Sequence, residues 1–567
     1  MILAKDDNGT KIRKKIKWGK KFFCAFGNFC YFCRWTKQVI IMGIYIDKGF
    51  ESFRRIANDN FVDKSMLIEV MNQFVGTENC FVCISRPRRF GKSVAAKMLY
   101  AYYDRKSTGA RPLFEKLEIA KQPDFEEHLN KYPVIYLDFN TFANIKPEET
   151  VTYFQREVIA DLKKSYPFLQ EENLLSQALR EINQATSDKF VMIIDEWDML
   201  IRDVNVDVQT EYVNFLRSMF KSNTGDDVFQ LVYMTGILPI VKYRTQSALN
   251  NFAEYSVLDP KVTDKYYGFT QDEVKALCTK HNMSFARMKH SYDGYIIGNE
   301  KSMFNPNSVM RSILDKSYGS YWGKTALYTT IEYYVQHDTE KLKPMITKML
   351  DGKSVLIDIT SFRNNMNDIK DYNDVLTLLA HLGYLSYDPK TKSVRIPNTE
   401  VAEEFRNSLR NCGWGYLSMA LQQSTRLLQA TIEKDKRYIA QAIAEYHREA
   451  TSFLEFNDEN SMACAIKLAY YSAISDYEIF RELPTGKGFA DMVFVPIPGS
   501  VFPAIVVELK WDKSAQGAIA QIKNKEYPKK LQRFSREIIL LGINYNKDAK
   551  DIKYEVELEG IRREKAR

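Results

Sequence analysis

The chain has 567 residues, 45% of them hydrophobic and 27% charged, with a formal net charge of +8. At roughly 150 residues per domain that is material for three or four cores, and eight scattered cysteines exclude a disulfide framework and point to a reducing, cytoplasmic setting. The charge excludes a general polycation, because ten Lys/Arg against two Asp in residues 1–41 account for the whole excess and the remaining body is neutral.

Residues 1–41 combine a basic block (KIRKKIKWGKK) with the apolar run FFCAFGNFCYFC. Gly27 and Asn28 interrupt that run, no small-residue cleavage site follows it, and it falls short of the roughly 20 apolar residues of a membrane span, so no membrane partner is expected. Cys30 and Cys33 form a CxxC near Cys24, but without a second ligand pair zinc is not expected there. Patterned sequence begins at MGIYIDKGFESF, and 1–41 is therefore read as a basic extension, disordered or not native, with Met42 as the start.

From 42 to 263 the pattern is that of a parallel α/β domain. The strand NCFVCIS runs into the loop RPRRFGKS and then the helical VAAKMLYAYYD, the order in which a phosphate-binding loop feeds a helix N-terminus. Gly91 permits close backbone approach, Lys92 reaches the β/γ-phosphates of ATP, and Ser93 is placed for Mg2+. Arg86 stands where the loop normally has its first glycine, and Pro87 supplies no N–H. PVIYLDFN adds a strand ending at Asp138. FVMIIDEWDML adds one ending at Asp195, a second Mg2+ ligand, and Glu196, which polarises the attacking water. QLVYMTGIL ends at Thr235, suited to sensing the γ-phosphate. Each pair alone also occurs as a helix cap; three in this order predict a nucleotide site.

Residues 264–405 turn mostly helical and Tyr-rich, and close with a helix, a short hairpin around Asp388-Pro389-Lys390 and a second helix, similar to a winged helix. This section is read as a lid over the nucleotide, with DNA contact by Lys390, Lys392 and Arg395 as the competing reading. Arg244 and Arg287 are alternatives for an arginine finger or lid sensor. Two helical periods follow in a linker, 406–455.

The section 456–560 carries the second site. GKGFADMVF and AIVVELK read as strands, and alternation puts Glu508 and Lys510 on one face while Val507 and Leu509 enter the core. A hairpin partner brings Asp491 beside them. Two carboxylates in reach of each other hold Mg2+, and an adjacent ammonium orients or deprotonates water, the equipment for phosphodiester cleavage. Alone, a Glu-x-Lys is commonly a solvated pair. Glu482, just before the turn, is a supporting candidate. The cations from Lys523 to Arg536 are placed to neutralise phosphates or form a solvated face; 561–567 is a basic tail.

Asp491, Glu508 and Lys510 stand as in the PD-(D/E)XK nuclease superfamily, the helix that begins near Ser514 and carries Ala515, Gln521 and Tyr527 resembles that family's post-motif helix and makes Gln521 a supporting residue, and RPRRFGKS, MIIDEWD, MTGILPI, DGYIIG and LAHLGYLSYD resemble the AAA-ATPase-like family often fused to such a nuclease. The resemblance covers nearly everything from Met42 onward, and an arginine-rich loop is usual in that family. It implies an α/β fold: a P-loop NTPase parallel sheet with a helical, winged-helix lid, plus a C-terminal α/β restriction-endonuclease-like domain. The expected function is an ATP-regulated, Mg2+-dependent nuclease acting on DNA in preference to RNA, with homo-oligomers allowed. The alternative is a nucleotide-switched DNA- or protein-binding ATPase whose nuclease-like domain targets without cutting.

Overall fold

The computed structural model describes residues 45–46, 49–170, 174–202, 204–221, 227–240, 249–322, 339–360, 362, 369, 371–409, 416–450, 459–484, 489–525, 531, 534–535, 537–546 and 553–562. The unit Met42–Arg567 is compact. The extension 1–41, with its cysteines, lies outside the described residues, as do Arg244, the turn 485–488, Tyr527, Lys529, Lys530, Arg533 and Arg536.

Five short strands form the N-terminal sheet, the first four apolar: β1 (Phe81–Ser85), β2 (Val134–Asp138), β3 (Phe190–Asp195), β4 (Phe229–Gly236) and β5 (Ala253–Tyr255). Their order is β2-β3-β4-β1-β5 and every pairing is parallel. Continuous apolar runs suit such strands because helices cover both faces, and β1 and β3 are buried along their whole length. Cys80 and Cys83 are buried here as small hydrophobes. The chain leaves β1, skips two strand positions and returns through β2 and β3, which opens a crevice at the C-terminal strand ends. Register aligns Asp138, Asp195 and Thr235 across that edge.

The lid ends in α2 (Tyr372–Leu382), the strands Ser386–Asp388 and Ser393–Arg395, and α3 (Thr399–Leu409), with Val355–Leu356 as the third strand of the wing. Helix α1 (Lys92–Tyr103) follows the phosphate loop. α2 is buried along nearly its whole length, so it forms the centre of the lid.

The C-terminal sheet orders β6 (Tyr477–Pro484), β7 (Phe489–Pro496), β8 (Ala504–Trp511), β9 (Glu537–Asn546) and β10 (Lys553–Arg562) consecutively. Only β8 and β9 are parallel, joined by a crossover containing α4 (Ala515–Asn524), whose N-cap Ser514 accepts from the Gly517 N–H. α4 covers one face. The helices Tyr416–Glu433, Lys436–Ala450 and Glu459–Ala469 cover the other, so the expected linker is a layer of the C-terminal half. One apolar cluster continues from Phe90 and Tyr295 through Leu376, Leu379 and Phe405 of the lid to Phe494 and Ile543.

Candidate functional sites

At the first site, β1 delivers the loop to the N-terminus of α1. Gly91 caps the helix with φ +91°, and the space where a Cβ would stand is open, a cradle for an anion against the helix amides. Lys92 is almost fully buried, its Nζ donating to the Arg86 and Pro87 carbonyls at 3.2 and 3.1 Å and lying 3.7 Å from Glu196 Oε1. The Ser93 hydroxyl bonds to Asp195. Asp195 also accepts from Thr235 Oγ1 at 2.7 Å and Tyr136 OH at 3.4 Å.

Burial pushes the Asp195 carboxyl above its ordinary range, opposed by the Ser93 and Thr235 hydroxyls. A hard carboxylate in such a place, beside a hydroxyl and a helix N-terminus, fits Mg2+ carried by a phosphate chain. Glu196, at φ +57°, is held by Arg202 at 3.0 Å as well as by Lys92. Arg202 in turn reaches Asp198 at 3.2 Å, and Asp198 accepts from the Ile237 and Leu238 N–H groups beyond Thr235. Sequence reasoning passed over Asp198 and Arg202, although their i,i+4 spacing on one helical turn was the available signal.

A cavity of about 470 Å³ is lined by Gly91, Lys92, Ser93 and Glu196 together with the apolar side chains of Phe61, Val62, Met98, Phe269, Met310 and Leu314. Such an apolar lining suits a planar base, and no motif in the sequence marks these residues as part of a site. Arg86, the apparent substitute for glycine, points away from the cavity into the core. Arg287 does not serve this site: it stacks 4.6 Å over Tyr318 and stands beside Asp476 of the C-terminal half.

At the second site, alternation along β8 sends Ile505, Val507 and Leu509 into the large core and Val506 and Glu508 to the face under α4. Pairing of β7 with β8 runs to Met492↔Val507. One step further, Asp491 Oδ2 accepts from the Leu509 N–H at 2.6 Å, so the side chain takes over where the ladder stops. Lys510 Nζ lies 3.0 Å from Glu508 Oε1, and Gln521 on α4 donates to the same oxygen. The structure therefore brings Asp491, Glu508, Lys510 and Gln521 together; the Glu482 side chain lies outside the described residues.

Glu508 is 1% exposed, and its Oε2 is buried without a hydrogen-bond partner among the described residues. Burial, aided by the Asp491 charge and opposed by Lys510, pushes its carboxyl up to about 7. Two adjacent hard carboxylates, one with an orphaned oxygen, fit a divalent cation that would keep both ionised. Among the described residues no cluster of three or more His, Cys, Asp or Glu is present, so such an ion would complete its shell with water or backbone oxygen.

The lid meets this half through polar contacts. His290 Nε2 hydrogen-bonds to the Ile474 carbonyl at 2.8 Å, and buried Asp351 gathers Lys353, Lys467 and Arg481 at 2.8, 3.2 and 3.8 Å.

A family profile described as a predicted AAA-ATPase matches residues 47–245, and one described as the PD-(D/E)XK nuclease superfamily matches residues 457–555. An uncharacterized protein in the vnfD 5' region of Azotobacter chroococcum is 22% identical over 541 residues, covering 89% of this chain and 97% of the relative. Among solved structures, the Aeropyrum pernix ORC2 protein in ADPNP and ADP complexes is 12% identical, with a TM-score of 0.29, over 63% of this chain and 97% of its own. The Aeropyrum pernix ORC1 protein in complex with DNA is 10% identical, with a TM-score of 0.20, over 78% and 87%. Among the described residues no helix is long and apolar enough to cross a membrane.

Proposed function

We propose, for a chain that joins an AAA-ATPase-like domain to a PD-(D/E)XK nuclease superfamily domain, that it is a Mg2+-dependent deoxyribonuclease governed by ATP. The observation that carries this reading is the meeting of Asp491, Lys510 and Gln521 around the buried Glu508 carboxylate, from three separate elements. A charge pair left over on an exposed edge strand would face water; this one is enclosed beneath α4 with an oxygen unspent.

Asp491 and Glu508 would hold Mg2+, which when bound supplies Lewis acidity toward the scissile phosphate. Lys510 positions the attacking water and stabilises charge developing on the phosphate, while Gln521 fixes the Glu508 carboxylate. In the first site the α1 N-terminus and Lys92 take the phosphates of ATP, Ser93 and Asp195 would hold its Mg2+, Thr235 orients Asp195, and Glu196 orients water for hydrolysis. ATP licenses cutting through the lid, whose core runs unbroken into the C-terminal sheet.

The test is incubation of purified full-length protein with plasmid and linear DNA, with and without Mg2+ and ATP. Asp491→Ala should abolish cleavage and retain ATP binding. Mg2+-dependent cutting that persists in that variant would overturn the assignment, and DNA binding without any cutting would instead make the C-terminal half a targeting module.

A further inference from the structure

A second cavity, of about 320 Å³, lies where the parallel sheet meets the lid, and it shares no residue with the nucleotide cavity. The sheet side supplies Ile240, Glu254 of β5 and Ser256; the lid side supplies Phe362 together with Thr377 and His381, one turn apart on α2. Thr377 and His381 are 1% and 2% exposed, and Thr377 Oγ1 and His381 Nδ1 are buried with no hydrogen-bond partner among the described residues. A threonine inside a helix commonly donates to the carbonyl one turn back, as Thr150, Thr186, Thr347 and Thr431 do here. Thr377 does not. His128, His281 and His290 each hold a polar partner, whereas His381 has the Phe362 ring, stacked at 5.6 Å between centroids. A buried polar atom left unpaired costs stability. Two of them beside one cavity are answered by a molecule that enters it.

The lining selects the chemistry of that molecule. Its charged side chains are Glu254, Asp259 and Lys261, and Lys261 already pairs with Asp259 at 3.6 Å. Burial holds the His381 imidazole down at about 3, so it stays neutral. Two acids against one engaged cation disfavour an anion, phosphate included. Among the described residues no cluster of three or more His, Cys, Asp or Glu could hold a metal here. What the cavity offers is uncharged: an imidazole that donates with one nitrogen and accepts with the other, and a threonine hydroxyl that does either. The Ser256 hydroxyl accepts from the Leu258 and Asp259 N–H groups at 3.3 and 3.1 Å, which leaves its proton to donate. Ile240, Leu258 and Phe362 frame these groups with apolar surface. Donors and acceptors side by side within such walls match the edge of a heteroaromatic ring, and the volume sits at the small end of the roughly 300–1,000 Å³ that ligand pockets span.

We propose that this cavity is a second ligand site, for an uncharged heterocycle of nucleobase or nucleoside size that Thr377 and His381 hold between sheet and lid. The test is calorimetric titration of full-length wild type, Thr377→Val and His381→Phe with adenosine, guanosine, cytidine and thymidine, in Mg2+ and saturating ATPγS so that the first cavity is filled. At least one nucleoside should bind the wild type, each variant should weaken it at least about tenfold, and its 5'-monophosphate should bind more weakly than the nucleoside. Thr377→Val keeps the shape and removes the orphaned hydroxyl, so its melting temperature should hold or rise, which reports that the variant is folded. Binding of none of the four at about 1 mM, displacement of the nucleoside by ATPγS, unchanged affinity in either variant, or a tighter monophosphate would each overturn the proposal. A wild type that ignores ATPγS yet takes a nucleoside through Thr377 and His381 upholds this site and overturns the nucleotide reading of the other.

Discussion

Single side chains in this protein do their work by being buried with incomplete compensation. Glu400 on α3 takes the Tyr321 and Trp322 N–H groups at 2.6 and 3.0 Å on one oxygen while its other oxygen is buried without a partner. Burial outweighs those bonds and pushes its carboxyl up to about 7 from an ordinary 4.5. The folded state therefore binds the proton more tightly than the unfolded state does. The associated stability is present below about pH 4.5 and is lost as pH rises through 7, by about 3 kcal/mol. Glu400→Gln keeps the shape without the titration, so its melting temperature should vary less between pH 5 and pH 8 than the wild type's; parallel curves would refute the assignment. Lys510 offers the contrasting case, a side chain needed for chemistry. Lys510→Gln should lower cleavage by about 10²-fold, read from initial rates, with nucleotide affinity unchanged.

Elements matter here through how closely they approach. Gly542 of β9 lies directly beneath α4: a Cβ there would overlap the Ala515 carbonyl and press on Ala518 at 3.0 Å. Gly542→Ala should thus push α4 away from β8 and β9, costing about 1–3 kcal/mol in urea unfolding, and separate Gln521 from Glu508. Cleavage should fall more than stability alone explains, while ATPγS affinity at the distant loop holds; unchanged cleavage would dissociate α4 from the site. Much of this site was legible beforehand because period-two alternation fixes which residues of β8 share a face, and a helix following within a few residues must return over that face. Depth was not legible. The string AIVVELK says that Glu508 and Lys510 point the same way, and only the packed α4 makes Glu508 a buried carboxylate. The loop arginines teach the same lesson: Arg86 and Arg89 look interchangeable in RPRRFGKS, yet one is tied to Thr263 in the core and the other to Tyr321 of the lid, both far away in sequence.

At the scale of the whole molecule, the question is what constitutes the C-terminal half. Helical periodicity in 416–450 reveals an apolar stripe without saying what it packs on, so a joint and a structural layer read alike in the sequence. In the fold, Leu421, Leu427, Ile439, Ile443 and Tyr446 join the same core as Phe494, Val507, Ile543 and Leu558, and Lys434 and Lys436 pair with Glu537 and Glu557 at the sheet's far edge. A fragment starting at 456 would strip those two helices from one face of the sheet. Each aliphatic side chain so exposed forfeits about 1.5–3 kcal/mol, and a handful together are comparable to the roughly 5–15 kcal/mol by which whole domains are stable. The expectation is that 456–567 aggregates or lacks a cooperative melt, whereas 416–567, retaining both helices, shows near-ultraviolet dichroism and a single transition. A monomeric, cooperatively melting 456–567 would show that the helices are indeed a detachable joint. In that event the continuous core between lid and nuclease-like sheet could not be the route by which ATP governs cleavage, since the sheet would keep its form whatever the lid did.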